Sequence, residues 1–156
     1  MDLQHHIFLL TFDGRLFTAP IPKDQTLHRV LDVGTGTGIW AIDFADEHPE
    51  SEVIGIDLSV IQPKFVPPNL SFEIDDLEEE WTMTKPFDFI MARMTVQFLA
   101  DRDRYFTQAF QHLNPGGWIE CIDVINPGKS DDHPNLEETY FWKWFAPLMF
   151  RNVFNG

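Results

Sequence analysis

A single cysteine, Cys121, in 156 residues excludes an internal disulfide and fits a reducing compartment. Basic residues are scarce. Eleven Lys and Arg stand against 25 Asp and Glu, giving a formal net charge of −14 and a pI near 4.5. Such a surface repels phosphate backbones and anionic bilayers, so no nucleic acid and no membrane is expected as partner. A cationic ligand would be attracted, although a solvated acidic surface satisfies the same composition. No apolar run reaches bilayer length, and the short run 7–10 follows Asp2 rather than a basic segment. Neither a membrane helix nor a secretory leader is therefore expected, and the expected location is intracellular, cytoplasmic or nuclear. Internal repeats and low-complexity tracts are absent too. What is present is 44% apolar and 14% aromatic residues, enough for one domain with a sizeable core.

Glycine is sparse but concentrated. Gly34-Thr35-Gly36-Thr37-Gly38 follows the apolar run Val30-Leu31-Asp32-Val33 and leads into Ile39-Trp40-Ala41-Ile42-Asp43-Phe44-Ala45. That order reads as strand, turn, helix. Alternating glycines let the backbone turn tightly and let a ligand approach where a Cβ would stand. The helix N-terminus then offers free N–H groups to whatever lies over the turn.

The remaining pattern alternates strand and helix. Strands are expected at about 29–33, 52–57, 70–74, 87–91 and 118–124, with the Asn114-Pro115-Gly116-Gly117 turn opening the fifth. Helices are expected at 1–10, 38–48, 101–113 (Tyr105, Phe106, Ala109, Phe110 and Leu113 at helical spacing) and 136–150. Pro63, Pro67 and Pro68 argue against a full helix between strands two and three. Residues 1–28 form a lead-in and partial lid, 29–125 the core, and 126–156 a loop and an aromatic helix. Cys121 lies in an apolar strand and is expected as a packed thiol.

Acidic residues fall at successive strand ends, where open α/β sheets place ligands. Asp57 ends strand two, at the distance suited to two ribose hydroxyls. Asp75 and Asp76 end strand three, near where an adenine edge would lie. A nicotinamide dinucleotide fold shares the turn and the later acid, but its third glycine falls here on Ile39. The G-x-G-x-G turn instead suits S-adenosylmethionine, which has no pyrophosphate; Asp32 would meet its ammonium. A dinucleotide oxidoreductase remains the disfavoured alternative.

The stretch Val30 to Gly38 resembles the first motif of class I S-adenosylmethionine-dependent methyltransferases. Gly55-Ile56-Asp57-Leu58-Ser59 is similar to the second, and Leu113-Asn114-Pro115-Gly116-Gly117-Trp118 to the turn before strand five. His5-His6-Ile7-Phe8-Leu9-Leu10, Gly38-Ile39-Trp40-Ala41-Ile42-Asp43, Ile61-Gln62-Pro63, Val66-Pro67-Pro68-Asn69 and Phe72-Glu73-Ile74-Asp75-Asp76 with Glu80-Trp81-Thr82 resemble the fungal LaeA-like group. That group includes secondary-metabolism regulators and pathway enzymes. The resemblance implies an α/β, Rossmann-like three-layer sandwich with a mostly parallel sheet in the order 3-2-1-4-5. It implies S-adenosyl-L-methionine as cofactor, a small-molecule methyl acceptor, and a binding set of Asp32, Gly34, Thr35, Gly36, Gly38, Asp57, Leu58, Asp75 and Asp76. Members continue at both ends beyond the matched stretch, so the chain is expected to be shortened and to lack the final antiparallel hairpin. That would leave strand five as an open edge, available to a protein partner or to self-association.

In-line methyl transfer needs alignment and exclusion of water more than a covalent intermediate or a metal. An oxygen or nitrogen acceptor can need a base; His5, His6, Glu120 and His133 are the candidates, without a supporting pattern. Phe98, Tyr140 and Trp142 are candidate aromatic faces for the methyl, though core packing suits them as well. A metal at Asp131-Asp132-His133 is not expected. The alternative function is a shortened, non-catalytic relative with a regulatory or protein-interaction role.

Overall fold

The computed structural model describes residues 2–123 together with Glu138, Thr139 and Lys143. The expectations for Val124, for Asp131, Asp132 and His133, and for Tyr140 and Trp142 lie outside the described residues. The chain divides into two compact units, Met1–Asp123 and Val124–Gly156.

In the first unit the order is α1 (Asp2–Thr11), β1 (Arg29–Val33), α2 (Ile39–Glu47), β2 (Glu52–Asp57), β3 (Leu70–Ile74), β4 (Phe87–Arg93), a 3₁₀ turn at Val96–Phe98, α3 (Arg102–Gln111) and β5 (Leu113–Ile122). The five strands form one sheet in the order β3-β2-β1-β4-β5, and every pairing is parallel. This is the expected Rossmann-like α/β architecture. Parallel pairing brings the carboxyl ends of all the strands to one edge of the sheet, where the connecting loops build the site.

Alternation along the central strands separates two cores. Leu31, Val33, Ile54, Ile56, Ile90 and Ala92 face one side with Tyr105 and Ala109 of α3. Val30, Val53, Phe89 and Met91 face the other with Trp40, Ala41, Phe44 and Ala45 of α2. Trp40 and Phe44 stack with ring centroids 5.0 Å apart. Each fully buried Val, Leu, Ile, Phe or Met among them contributes roughly 1.5–3 kcal/mol of burial. The Trp40 indole N–H donates to Leu16 O at 2.8 Å, which draws the lead-in chain onto this face.

Long-range polar contacts explain several motif residues. The Asn69 amide donates to the carbonyls of Ala45, His48 and Ser51 at 2.9–3.1 Å. It thereby satisfies the Ala45 carbonyl, which Pro49 cannot reach with an N–H, and ties β3 to the turn after α2. Trp81 N–H donates to Gln108 Oε1 at 2.8 Å, and Gln108 Nε2 donates to Glu79 O at 3.0 Å. The Glu80-Trp81 region is thus pinned on α3. Asp101 caps α3 by accepting from Arg104 N–H at 2.9 Å.

Four expectations need correction. Leu113 belongs to β5 rather than to the helix: it pairs with Phe87, and Trp118 pairs with Phe89, so residues 114–117 bulge out opposite Asp88. Asp88 fastens this region. It accepts from His28 N–H (2.7 Å), Arg29 N–H (3.0 Å) and the Asn114 amide (2.8 Å). The buried face of α3 is narrower than its apolar count implied, because Phe106 and Phe110 are exposed. Cys121 is exposed rather than packed, as β5 is the last strand of the sheet among the described residues. Finally, Glu120 is not a free base. Its carboxylate accepts from Thr18 N–H and Thr18 Oγ1 at 2.8–2.9 Å and from Ala19 N–H at 2.5 Å.

Glu120 therefore ties the lead-in chain to β5. Glu120→Ala strips three donors of their acceptor and is expected to lower stability by about 1–3 kcal/mol. Glu120→Gln, which keeps one carbonyl oxygen, should lose less. Urea unfolding of the two variants beside the parent chain checks the order.

Candidate functional site

The chain bends back on itself between β1 and α2 through three positive-φ glycines, Gly34 (68°), Gly36 (59°) and Gly38 (80°). Only glycine adopts such angles without strain. Sequence reasoning assigned their bareness to ligand access, but at two of them protein atoms fill the space. A Cβ on Gly34 would stand 2.3 Å from Thr95 Oγ1, and one on Gly38 would stand 2.3 Å from the Phe72 ring. Gly34 thus admits the turn after β4, and Gly38 admits a side chain of β3.

The bend is held by a closed set of hydrogen bonds. Asp57 Oδ2 accepts from Gly36 N–H, and Asp57 Oδ1 accepts from Ser59 N–H, each at 2.8 Å. The Gln62 amide donates to Gly36 O at 2.7 Å and to Ser59 O at 2.8 Å. Gln62, quoted above only within a motif, is therefore the residue that clasps the two loops together.

Over these carboxyl ends lies a cavity of about 490 Å³, within the range of roughly 300–1,000 Å³ usual for small-molecule sites. Gly34, Gly36, Asp57, Leu58, Asp75 and Asp76 line it, together with Phe98 and, from α1, Gln4. Asp75 Oδ1 accepts from Asp76 N–H and Asp76 Oδ1 accepts from Glu78 N–H, each at 2.9 Å. Phe98 lines the cavity and is 60% exposed rather than packed in the core.

Asp32 and Thr35 lie elsewhere. They line a smaller adjoining cavity of about 40 Å³ with His5, Phe8 and Arg93, and the two cavities share Gln4, Gly34 and Arg93. Gly38 lines neither. The expected set therefore divides: Gly34, Gly36, Asp57, Leu58, Asp75 and Asp76 face one space, while Asp32 and Thr35 face its annex.

Asp32 is only 3% exposed and accepts from Thr35 Oγ1 at 2.5 Å. Burial pushes its carboxyl up to about 6, with the nearby Asp57 charge adding to the rise; the Thr35 hydrogen bond and Arg93 work against it. His5 is also buried. Arg93 donates to its Nδ1 at 3.0 Å, which leaves the proton on Nε2 for Asp43 Oδ2 at 2.9 Å. Burial and then Arg93 lower its pKa. With both nitrogens engaged, His5 is a linker rather than a free base. His6 is exposed on α1. Among the described residues no group of three or more His, Cys, Asp or Glu side chains is arranged to hold a metal, and no helix is long and apolar enough to cross a membrane.

Arg93 is the residue that sequence reasoning missed. The available signal was a lone basic residue prolonging the apolar strand Phe87-Asp88-Phe89-Ile90-Met91-Ala92 of an acidic chain. Met94 beside it holds φ at 53°, a left-handed conformation costing roughly 1–2 kcal/mol for a residue with a Cβ. Thr95 Oγ1 ties that turn back to the carbonyls of Arg93 (3.0 Å) and Val33 (3.3 Å).

An open parallel sheet with a glycine bend after its first strand, an acid after its second and a cavity above them has the layout of a nucleoside-binding transferase fold. A family model described as a methyltransferase domain matches residues 3–155, and the chain belongs to that family. It is 41% identical over 133 residues to the methyltransferase pytC of Aspergillus terreus, covering 85% of this chain and 40% of that protein. It is 40% identical over 152 residues to the secondary metabolism regulator LAE1 of Cochliobolus heterostrophus, covering 95% of this chain and 50% of that protein. The chain thus spans half or less of the length of these relatives. Among solved structures, the plantazolicin methyltransferase BpumL in complex with SAH superposes with a TM-score of 0.60 at 19% identity, over 78% of this chain and 44% of that one.

Asp32→Asn keeps an acceptor for Thr35 and removes the buried charge. The unfolded chain loses this proton near 3.8 and the folded chain near 6, so the parent's stability from Asp32 falls as pH rises between those values and stays lost above them. The variant is expected to gain on the parent across that window and to level off on the order of 3 kcal/mol ahead at neutral pH. Thermal unfolding of both proteins from pH 4.5 to 8 measures the gap.

Proposed function

We propose that the chain is an S-adenosylmethionine-dependent methyltransferase acting on a small-molecule acceptor in fungal secondary metabolism. The observation that carries this reading is the cavity at the carboxyl ends of the strands, with Asp57 at its wall beside the Gly36 bend. Each Asp57 oxygen accepts one backbone N–H, and a carboxylate has about four acceptor positions. Two remain to accept from a ribose diol. Asp75, Asp76 and Leu58 lie around the same space, suited to an adenine and its edge. Asp32 in the annex suits an ammonium. The names methyltransferase pytC and "Probable methyltransferase tdiE" support the reaction, and the structural neighbours in complex with SAH support the cofactor.

Bound S-adenosylmethionine supplies an electrophilic methyl group on a sulfonium. The protein's part is to orient it, bring the acceptor in line and keep water out. Phe98 at the cavity wall offers a ring face for the developing charge. A regulatory reading is favoured by two observations: LAE1 and laeA relatives are named secondary metabolism regulators, and two candidate bases, His5 and Glu120, are committed to holding the fold.

Titration calorimetry with S-adenosylhomocysteine and NAD tests the cofactor. The homocysteine product should bind, NAD should not, and Asp57→Ala should weaken binding on the order of tenfold or more. Binding of NAD in its place would overturn the reading. Methyl release with a panel of acceptors then separates enzyme from regulator.

A further inference from the structure

We propose that Arg93 reads the carboxylate of the cofactor's amino-acid tail, and that His5 and Asp43 are the positioning residues that hold it there. The proposal rests on the S-adenosyl reading of the site and assigns a residue to the part of the ligand that reading leaves unpaired.

The main cavity is walled by Asp57, Asp75, Asp76 and Glu78, and its annex by Asp32. A ligand carrying a carboxylate would be repelled by such walls. Among the described residues Arg93 is the one cation lining either cavity, and it lines both. It shares the annex with Asp32. A carboxylate and a guanidinium around one small space are complementary to an α-amino acid, whose ammonium and carboxylate sit on one carbon.

Arg93 is also built to stay in place. Its Nη2 donates to His5 Nδ1 at 3.0 Å, and His5 passes the constraint to Asp43 on α2. Its guanidinium carbon lies 5.5 Å from the centroid of Phe8 and 6.0 Å from that of Trp40, so aromatic faces pack beside it. A guanidinium has five N–H donors, and among the described residues the bond to His5 is the one that Arg93's side chain makes. The remaining donors are free to take a carboxylate in forked geometry.

The test compares two ligands by calorimetry on the full 156-residue chain. S-adenosylhomocysteine carries the amino-acid tail; 5′-methylthioadenosine has the same nucleoside without it. The parent should prefer the former. Arg93→Met should weaken S-adenosylhomocysteine on the order of 10- to 100-fold, leaving methylthioadenosine within about threefold, which also reports that the variant is folded. Arg93→Lys should recover part of the loss, since charge returns without the fork. His5→Leu should reduce the preference between the ligands, and His5→Gln, with an acceptor for Arg93 and a donor for Asp43, should restore it. Equal weakening of both ligands by Arg93→Met would overturn the proposal and make Arg93 a structural residue. Unchanged affinity for both would place the carboxylate elsewhere. A parent that binds both ligands equally would overturn this proposal alone, and a parent that binds neither would overturn the S-adenosyl reading with it.

Discussion

The carboxylate of Asp57 is where the architecture and the site become one object. A bend of positive-φ glycines facing a cavity exposes backbone N–H and C=O groups, and these need partners. Here Asp57 accepts from Gly36 and Ser59, and Gln62 donates back to the carbonyls of the same two residues. The ring closes without any ligand, so the bend is preorganised rather than assembled on binding. The parallel register makes this possible. Val33 pairs with Ile56, and Thr35 N–H continues the ladder to Ile56 O at 3.0 Å. The residue after Ile56 must then arrive beside Gly36. Register sets the clasp, and the clasp sets the wall of the cavity.

The glycines obey the same logic from the other side. Gly34 is bare because Thr95 needs the space, and Gly38 because the Phe72 ring does. The bend is thus packed between the turn after β4 and the face of β3, which fixes how far those elements stand from Asp57. A motif that looks like a ligand signature in one dimension is partly a packing signature in three.

Much of this was legible in the sequence, and the reason is local. Apolar runs with β-branched residues mark β1 and β2, apolar-polar alternation marks β3, and the glycine bend and Asp57 follow from strand-end position alone. Several misreadings involve partners far along the chain. Glu120 looked like a base because Thr18 and Ala19 lie about a hundred positions away. His5 stood beside it as a candidate base because Asp43 and Arg93 are on other elements. Leu113 fits a helical period, but the carbonyl of His112 is taken by Phe87 N–H at 2.7 Å and the chain has already entered the sheet. The division of Asp32 from Asp57 was invisible for a related reason. Both side chains leave the sheet on the face of Val30 and Val53, yet Asp32 is level with Gly55, two residues deeper in the sheet than Asp57.

Net charge illustrates how far composition can mislead about a pocket. A formal charge of −14 predicts a site that favours cations, but that charge is mostly on solvated side chains, screened beyond roughly 8 Å at physiological salt. Inside the site the balance is set by a few groups removed from water. Asp32 resists ionisation through burial, while Arg93 pulls the other way. Burial in turn lowers the Arg93 pKa, and Asp32 and Asp43 raise it. Arg93 and Asp32 offset part of each other's burial, and Asp43 keeps Arg93 partnered where Asp32 is neutral. Each therefore stabilises the other's charged form, and the histidine between Arg93 and Asp43 extends that support to the first helix. The sign of the whole chain governs approach, whereas this buried group of opposite charges governs what can stay.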